Sequence, residues 1–213
     1  MTDRKSQALI DSAIVAGIIA GALYPIAMLD LAPGRWSNLA FMLFGPFFAI
    51  SAYGMRAFYA RARDTATNDI ACLLLILAGA AFTFMATMQM SIYTAIPGYH
   101  RASLEPDAAT WDAILRGVST TQLGLDFAFD IFVSFGVILL GWQMVLHPRV
   151  PALLGLAGIA IGAAGISVNT ITFPENSGIA GLIDPAPVFG VWFGLAWLPL
   201  IFFRSWRPKK DPA

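Results

Sequence analysis

The sequence contains few of the residues that catalytic and metal-binding sites usually need. Its single cysteine, Cys72, excludes an internal disulfide and a redox pair of thiols. Its two histidines, His100 and His147, fall on opposite sides of the predicted membrane, which excludes a haem ligated by both of them inside the bundle. Only 12% of the 213 residues are charged, and seven of the 13 acidic ones collect on the predicted outer side, so nucleic acid is not a plausible ligand.

Recognisable catalytic and nucleotide-binding motifs are missing as well. The sequence has no HExxH motif, no paired-cysteine site, no glycine-rich phosphate loop and no Ser/His/Asp set at matched depth. No predicted span contains a lysine that could hold a retinal. We therefore expect no cofactor, and an enzyme is the least favoured interpretation.

Apolar residues, in contrast, make up 58% of the chain, and the mean hydropathy is +0.70. Apolar runs of roughly 20 residues recur along the whole length, and a helix needs about that many to cross roughly 30 Å of hydrocarbon. They predict an all-α polytopic membrane bundle of six transmembrane helices, with residues 1–213 as a single domain. The predicted spans are 9–29, 39–59, 70–96, 122–146, 150–173 and 188–203.

The distribution of positive charge predicts the orientation, because short loops rich in lysine and arginine stay in the cytoplasm. If the N-terminus is cytoplasmic, ten of the 13 basic residues fall on that side. These ten are Arg4, Lys5, Arg56, Arg61, Arg63, Arg149, Arg204, Arg207, Lys209 and Lys210. We therefore expect both termini to be cytoplasmic.

A polar stripe runs along the fourth predicted span. Gln122, Asp126, Asp130 and Ser134 recur every four residues and so share one helix face. A carboxylate near the centre of a membrane costs about 3 kcal/mol, and such groups usually face the bundle interior. Two interpretations remain open: an ion, proton or ligand site, or a hydrogen bond that only holds helices together.

The fifth span provides an expected partner for Asp130. Both Asp130 and Asn169 stand roughly 26 Å from the short turn between the fourth and fifth spans, at about 1.5 Å per residue. We predict that the two side chains meet directly or through one water, with Gln89 or Tyr24 completing the cluster. The candidate site residues are therefore Asp126, Asp130, Asn169, Gln89, Gln122 and Tyr24. We expect this polar interior in the outer half of the bundle.

Glycines at helical spacing predict close packing of helices in lipid. In the fifth span they recur at intervals of three and four residues and form one face: Gly155, Gly158, Gly162 and Gly165. Pairs four apart in the first and sixth spans repeat this pattern: Gly17 with Gly21, and Gly190 with Gly194.

Residues 107–117 predict a short helix that lies in the membrane interface on the outer side. Trp111, Ile114 and Leu115 share one face of this stretch, and Asp107 after Pro106 is a suitable helix start. Acidic residues of the outer loops gather at the same rim. These are Glu105, Asp107, Glu175 and Asp184.

Several segments together resemble a family of bacterial six-helix membrane proteins classed as a domain of unknown function. They are the aspartate-bearing fourth span, the HPR turn before a glycine-rich fifth span, the NTITFP segment and the DPAPVFGVW segment. The resemblance implies a bacterial plasma (inner) membrane protein and implies no activity.

Three hypotheses of function follow. The favoured one is a small transport or ligand-binding bundle with an outward-facing polar cavity around Asp130, which takes a cation, a proton or a small amphipathic molecule. The second is a structural or accessory subunit, either in a homo-oligomer or in a larger membrane complex. The third is a membrane enzyme with a metal site at the outer rim, formed by His100 and nearby acids.

Overall fold

The chain folds as a bundle of helices in the structure, a computed structural model that describes residues 3–29, 31–102, 108–173 and 186–206. Strands do not occur in these ranges, and the predicted all-α fold class is confirmed. The helices are α1 (Asp3–Met28), α2 (Arg35–Tyr59), α3 (Ala66–Ala102), α4 (Ala108–Leu146), α5 (Ala152–Thr172), α6 (Ala186–Ala196) and α7 (Leu198–Phe203).

The helices are arranged as a ring in chain order. Each of α1 to α4 packs extensively against the next helix, whereas α6 and α7 close the ring with sparser contacts to α5 and α1. We call the end of the bundle with the α2–α3 and α4–α5 turns the basic end, because Arg61, Arg63 and Arg149 lie there. The opposite end, with the α1–α2, α3–α4 and α5–α6 connections, is called the loop end.

Glycines allow the closest helix contacts. On α4 and α5, a methyl group added to Gly141 would stand 2.6 Å from the backbone oxygen of Gly155, nearer than a real Cβ can approach. Gly79 of α3 lies equally close to α2, since its added methyl would stand 2.7 Å from the oxygen of Gly45. These helices therefore pack backbone to backbone, as small residues permit in lipid.

The glycine face of α5 is buried, as predicted, and it receives side chains from both neighbouring helices. Trp192 of α6 lies directly over Gly158, and its indole Nε1 donates a 2.9 Å hydrogen bond to the Leu154 carbonyl oxygen. This bond ties α6 to α5.

Apolar side chains cover the outside of the bundle, as expected for a protein in contact with lipid. Five of the described helices, α1 to α5, are long and apolar enough to cross a membrane. The sixth apolar segment, Val188–Phe203, is shorter and is divided at Trp197 into α6 and α7. Pro199, near the start of α7, has no backbone N–H to donate to a carbonyl of α6, which favours this break.

The expected interfacial helix requires a correction. Residues from Ala108 onward are helical, but they form the first turns of α4, which continues unbroken to Leu146. Gly117, Ser119 and Thr120 are of the residue types that often end one helix and start the next, but α4 continues through them.

Candidate functional site

A cavity of about 540 Å³ lies between α1, α2, α4 and α6. It occupies the half of the bundle toward the loop end, because its α1 residues belong to the end of that helix and its α2 residues to the first half. It is lined by Gly21, Tyr24, Pro25, Leu29, Phe44, Phe48, Phe129, Asp130, Val133, Phe189, Gly190, Val191, Phe193, Gly194 and Trp197.

Asp130 is the single charged side chain among these lining residues. It lies on α4 next to Phe129 and one turn from Val133, which is almost completely buried. Tyr24 of α1 lines the same cavity, so the structure brings together two of the predicted site residues. The expectation of a polar cavity was wrong, because the wall around the carboxylate is otherwise almost entirely apolar.

Aromatic rings build most of this wall and connect the helices around it. The ring of Tyr24 lies 5.2 Å from that of Phe44, and Phe48 lies 4.8 Å from Phe193 between ring centroids. Phe82 of α3 bridges Phe44 and Phe129, at 4.6 and 5.2 Å. The aromatic wall therefore continues from α1 and α2 to the residue adjacent to Asp130.

Sequence reasoning missed these phenylalanines, although a signal for them was present. Phe44 with Phe48 and Phe189 with Phe193 are each four residues apart, which places each pair on one helix face. Such pairs are common in the core of any membrane bundle. Their spacing therefore could not indicate that they border an open space.

A proline alters the backbone of α1 where it borders the cavity. Pro25 lies inside the helix and has no N–H, so the Gly21 carbonyl cannot receive the usual hydrogen bond from four residues later. Both residues line the cavity. The Gly21 carbonyl therefore lacks its usual helical donor, in a residue that lines the cavity.

The α1 and α6 sides of the cavity are formed partly by glycine. Gly21, Gly190 and Gly194 all line it and all are exposed. A methyl group added to Gly194 would meet no atom within 4 Å. The expectation that this glycine pair of α6 packs against another helix was wrong for Gly194, which borders an opening, whereas Gly190 lies against the Tyr24 ring of α1.

The other predicted site residues lie outside the cavity wall. Gln89, Gln122, Asp126 and Asn169 are all half-buried and are not among the lining residues. The Asn169 amide Nδ2 donates a 3.0 Å hydrogen bond to the Gly165 carbonyl oxygen, one turn back in its own helix. The contact between Asn169 and Asp130 stays a prediction.

The proposed metal site at the rim falls mainly outside the described residues. Glu105, Asp107, Glu175 and Asp184 are not in the described ranges, and neither is the side chain of His100. Within the part of the chain that the structure describes, no three metal-binding side chains of His, Cys, Asp or Glu come together.

Comparisons with known proteins identify no relative: no family profile, curated protein or solved structure matches the chain significantly. The resemblance based on the HPR, NTITFP and DPAPVFGVW segments therefore remains an expectation. Any statement of function has to be derived from the cavity.

Proposed function

We propose that this protein binds a small amphipathic amine in its protonated form, as a small transporter or ligand-binding protein of the membrane. The observation that carries the proposal is an apolar cavity of about 540 Å³ with one carboxylate, Asp130, in its wall. An accessory subunit would be expected to have a solidly packed interior, so this cavity favours ligand binding.

The apolar wall provides space for the hydrocarbon part of such a ligand but little selectivity. A molecule already dissolved in lipid gains little by moving to another apolar environment, because lipid tails are as apolar as the phenylalanine wall. Shape complementarity and dispersion contacts with the wall still contribute to binding. The discrimination among ligands must therefore come from the polar groups of the cavity.

Asp130 supplies this discrimination through charge. An aspartate at the centre of a membrane helix costs about 3 kcal/mol to insert, and a cationic ligand offsets part of this cost. Aromatic rings attract a cation near their faces, which adds about 0.5 to 2 kcal/mol.

The test measures binding of decylammonium to the purified protein in lipid nanodiscs, with decanol as the uncharged comparison. A ligand that binds only the folded state raises its thermal stability by mass action. We expect decylammonium to stabilise the wild type more than decanol does. Asp130→Asn should weaken binding of decylammonium at least about thirtyfold, since losing one partner of a buried charge pair costs about 2 kcal/mol or more.

Asp112→Asn is the matched control, because Asp112 lies on the same helix but is exposed and outside the cavity. It should bind decylammonium with wild-type affinity. Equal affinity of Asp130→Asn and wild type for decylammonium would show that the carboxylate does not hold the ligand, and the proposal would be wrong.

A further inference from the structure

The opening between α1 and α6 has a defined frame. Toward the loop end, Tyr24 of α1 lies against Gly190, where an added methyl would stand 3.6 Å from its ring. Toward the basic end, the Trp197 indole covers Gly17 and reaches Gly21, where added methyls would stand 2.6 and 3.3 Å from the ring. Between these two contacts lies Gly194, above which the space is open.

The height of this window follows from helix geometry. Gly190 and Trp197 are seven residues apart, which corresponds to about 10 Å along a helix axis. α1 and α6 contact each other only sparsely over their whole length. On the α6 side the window is therefore a gap of at most about two helical turns, bounded by the contacts at Gly190 and Trp197.

The window faces the apolar outside of the bundle. Val191, which lines the cavity, is 68% exposed, and its neighbour on the next turn, Leu195, is 46% exposed. Val15 and Ile18 of α1 are each 58% exposed. Because these apolar surfaces belong to α1, which is long enough to cross a membrane, and to the apolar segment Val188–Phe203, the window faces hydrocarbon.

We propose that the window at Gly194 is a lateral entrance, through which an amphipathic amine passes from the lipid layer to the Asp130 carboxylate. This inference rests on the proposed function, which supplies the occupant, and adds its route. The occupant is argued from charge complementarity: an amine concentrated in the bilayer by its alkyl chain meets one carboxylate behind an apolar, glycine-lined gap.

The route has a consequence for the rate of binding. A ligand that enters from lipid reaches the window at its concentration in the membrane, so the association rate measured against the aqueous concentration rises with each methylene of the chain. A side chain placed at Gly194 would fill the open space of the window.

The test compares the association rate of decylammonium in nanodiscs for wild type, Gly194→Phe and Gly124→Phe. Gly124 is the matched control, because it is an exposed helical glycine of α4 with open space around it and lies outside the cavity. We expect Gly194→Phe to slow association at least tenfold and Gly124→Phe to leave it unchanged.

A second measurement keeps the test decisive if Gly194→Phe does not fold. A nitroxide spin label is attached at Gly194→Cys in a Cys72→Ala background. A lipid-facing window predicts that dissolved oxygen relaxes the label strongly and that a water-soluble nickel chelate does not. Strong relaxation by the chelate would mean that the window opens to water, and the inference would be overturned.

The outcomes separate the route from the proposed function. If Asp130→Asn loses binding while Gly194→Phe associates at the wild-type rate, the amine arrives from the loop end, and only the route is wrong. If decanol binds as tightly as decylammonium and Gly194→Phe slows both, the lateral entrance is supported and the proposed role of Asp130 is overturned.

Discussion

At the scale of single residues, His147 is held neutral by its surroundings at the basic end. The backbone N–H of Arg149 donates a 3.2 Å hydrogen bond to its Nδ1, so the ring proton lies on Nε2. Phe58 stacks on the ring at 4.9 Å, and Trp206 lies 5.0 Å away. Burial among these rings lowers the pKa of His147 from 6.5 to about 4.

This shift predicts how the stability depends on pH. Between pH 6.5 and 4 the unfolded chain binds a proton at His147 that the folded protein does not bind. The free energy of unfolding should therefore fall by up to about 3 kcal/mol as the pH is lowered through this window. His147→Phe keeps an aromatic ring but cannot titrate. Its free energy of unfolding should therefore be lower than that of the wild type at neutral pH and should change less between pH 6.5 and 4.

Denaturant titrations at a series of pH values would measure both profiles. If the free energy of unfolding changed equally in wild type and His147→Phe between pH 6.5 and 4, the assignment of a buried neutral histidine would be wrong.

At the scale of secondary-structure elements, one arginine ties both ends of the chain to the α2–α3 turn. The Arg61 guanidinium donates to the Ser6 hydroxyl at 3.3 Å and to the Gln7 side-chain oxygen at 3.0 Å, both on α1. It also donates to the Arg204 carbonyl at 2.7 Å and to the Trp206 carbonyl at 3.4 Å, just after α7. The ring of helices is thereby closed at its basic end.

Removing this side chain should loosen the last helix first, because α7 has only six residues and few other contacts. We expect backbone amides of residues 198–206 to exchange hydrogen about tenfold faster in Arg61→Ala, since one lost charged hydrogen bond is worth about 1.5 kcal/mol. Exchange measured by mass spectrometry would test this. Arg63→Ala changes an exposed neighbouring arginine and should leave these amides exchanging at the wild-type rate. Equal exchange rates in both variants would show that Arg61 does not hold α7 in place.

The helices also show which structural features could be predicted from the sequence and which could not. Hydropathy and the length of the apolar runs were sufficient to predict the apolar helices, five of which are long enough to cross a membrane. Glycine spacing was not sufficient, since the same four-residue interval packs Gly158 and Gly162 against neighbouring helices but leaves Gly190 and Gly194 beside a cavity. That difference depends on how each helix is rotated, and short-range patterns carry no information about it.

The same limit explains the outcome for the candidate site. Asp130 could be selected from the sequence because a carboxylate in a span is costly and therefore informative. The rest of the cavity wall is made of phenylalanine and glycine, which occur throughout this chain. Their contribution emerges only when four helices are placed around one space.

At the scale of the whole molecule, the positive charge is concentrated at one end of the bundle. Arg56, Arg61, Arg63, Arg149 and Arg204 are all at the basic end, which predicts that this end is cytoplasmic. The cavity half of the bundle would then lie toward the outer surface of the membrane.

Single-cysteine labelling would test this orientation in a Cys72→Ala background. Leu31→Cys places an exposed cysteine in the α1–α2 connection, and Arg63→Cys places one in the α2–α3 turn. In intact cells an impermeant maleimide should label Leu31→Cys, and it should label Arg63→Cys only after permeabilisation. The reverse pattern would mean that the bundle has the opposite orientation.

The length of α4 determines how far the protein extends beyond the bilayer. Its 39 residues span about 58 Å, nearly twice the roughly 30 Å thickness of the hydrocarbon core. Even at a tilt of about 40°, the largest common among membrane helices, it would still cover about 45 Å along the membrane normal. α3, with 37 residues, has almost the same length. In a bilayer the α3–α4 pair would therefore extend beyond the hydrocarbon core at the loop end, and it gives the molecule one tall side.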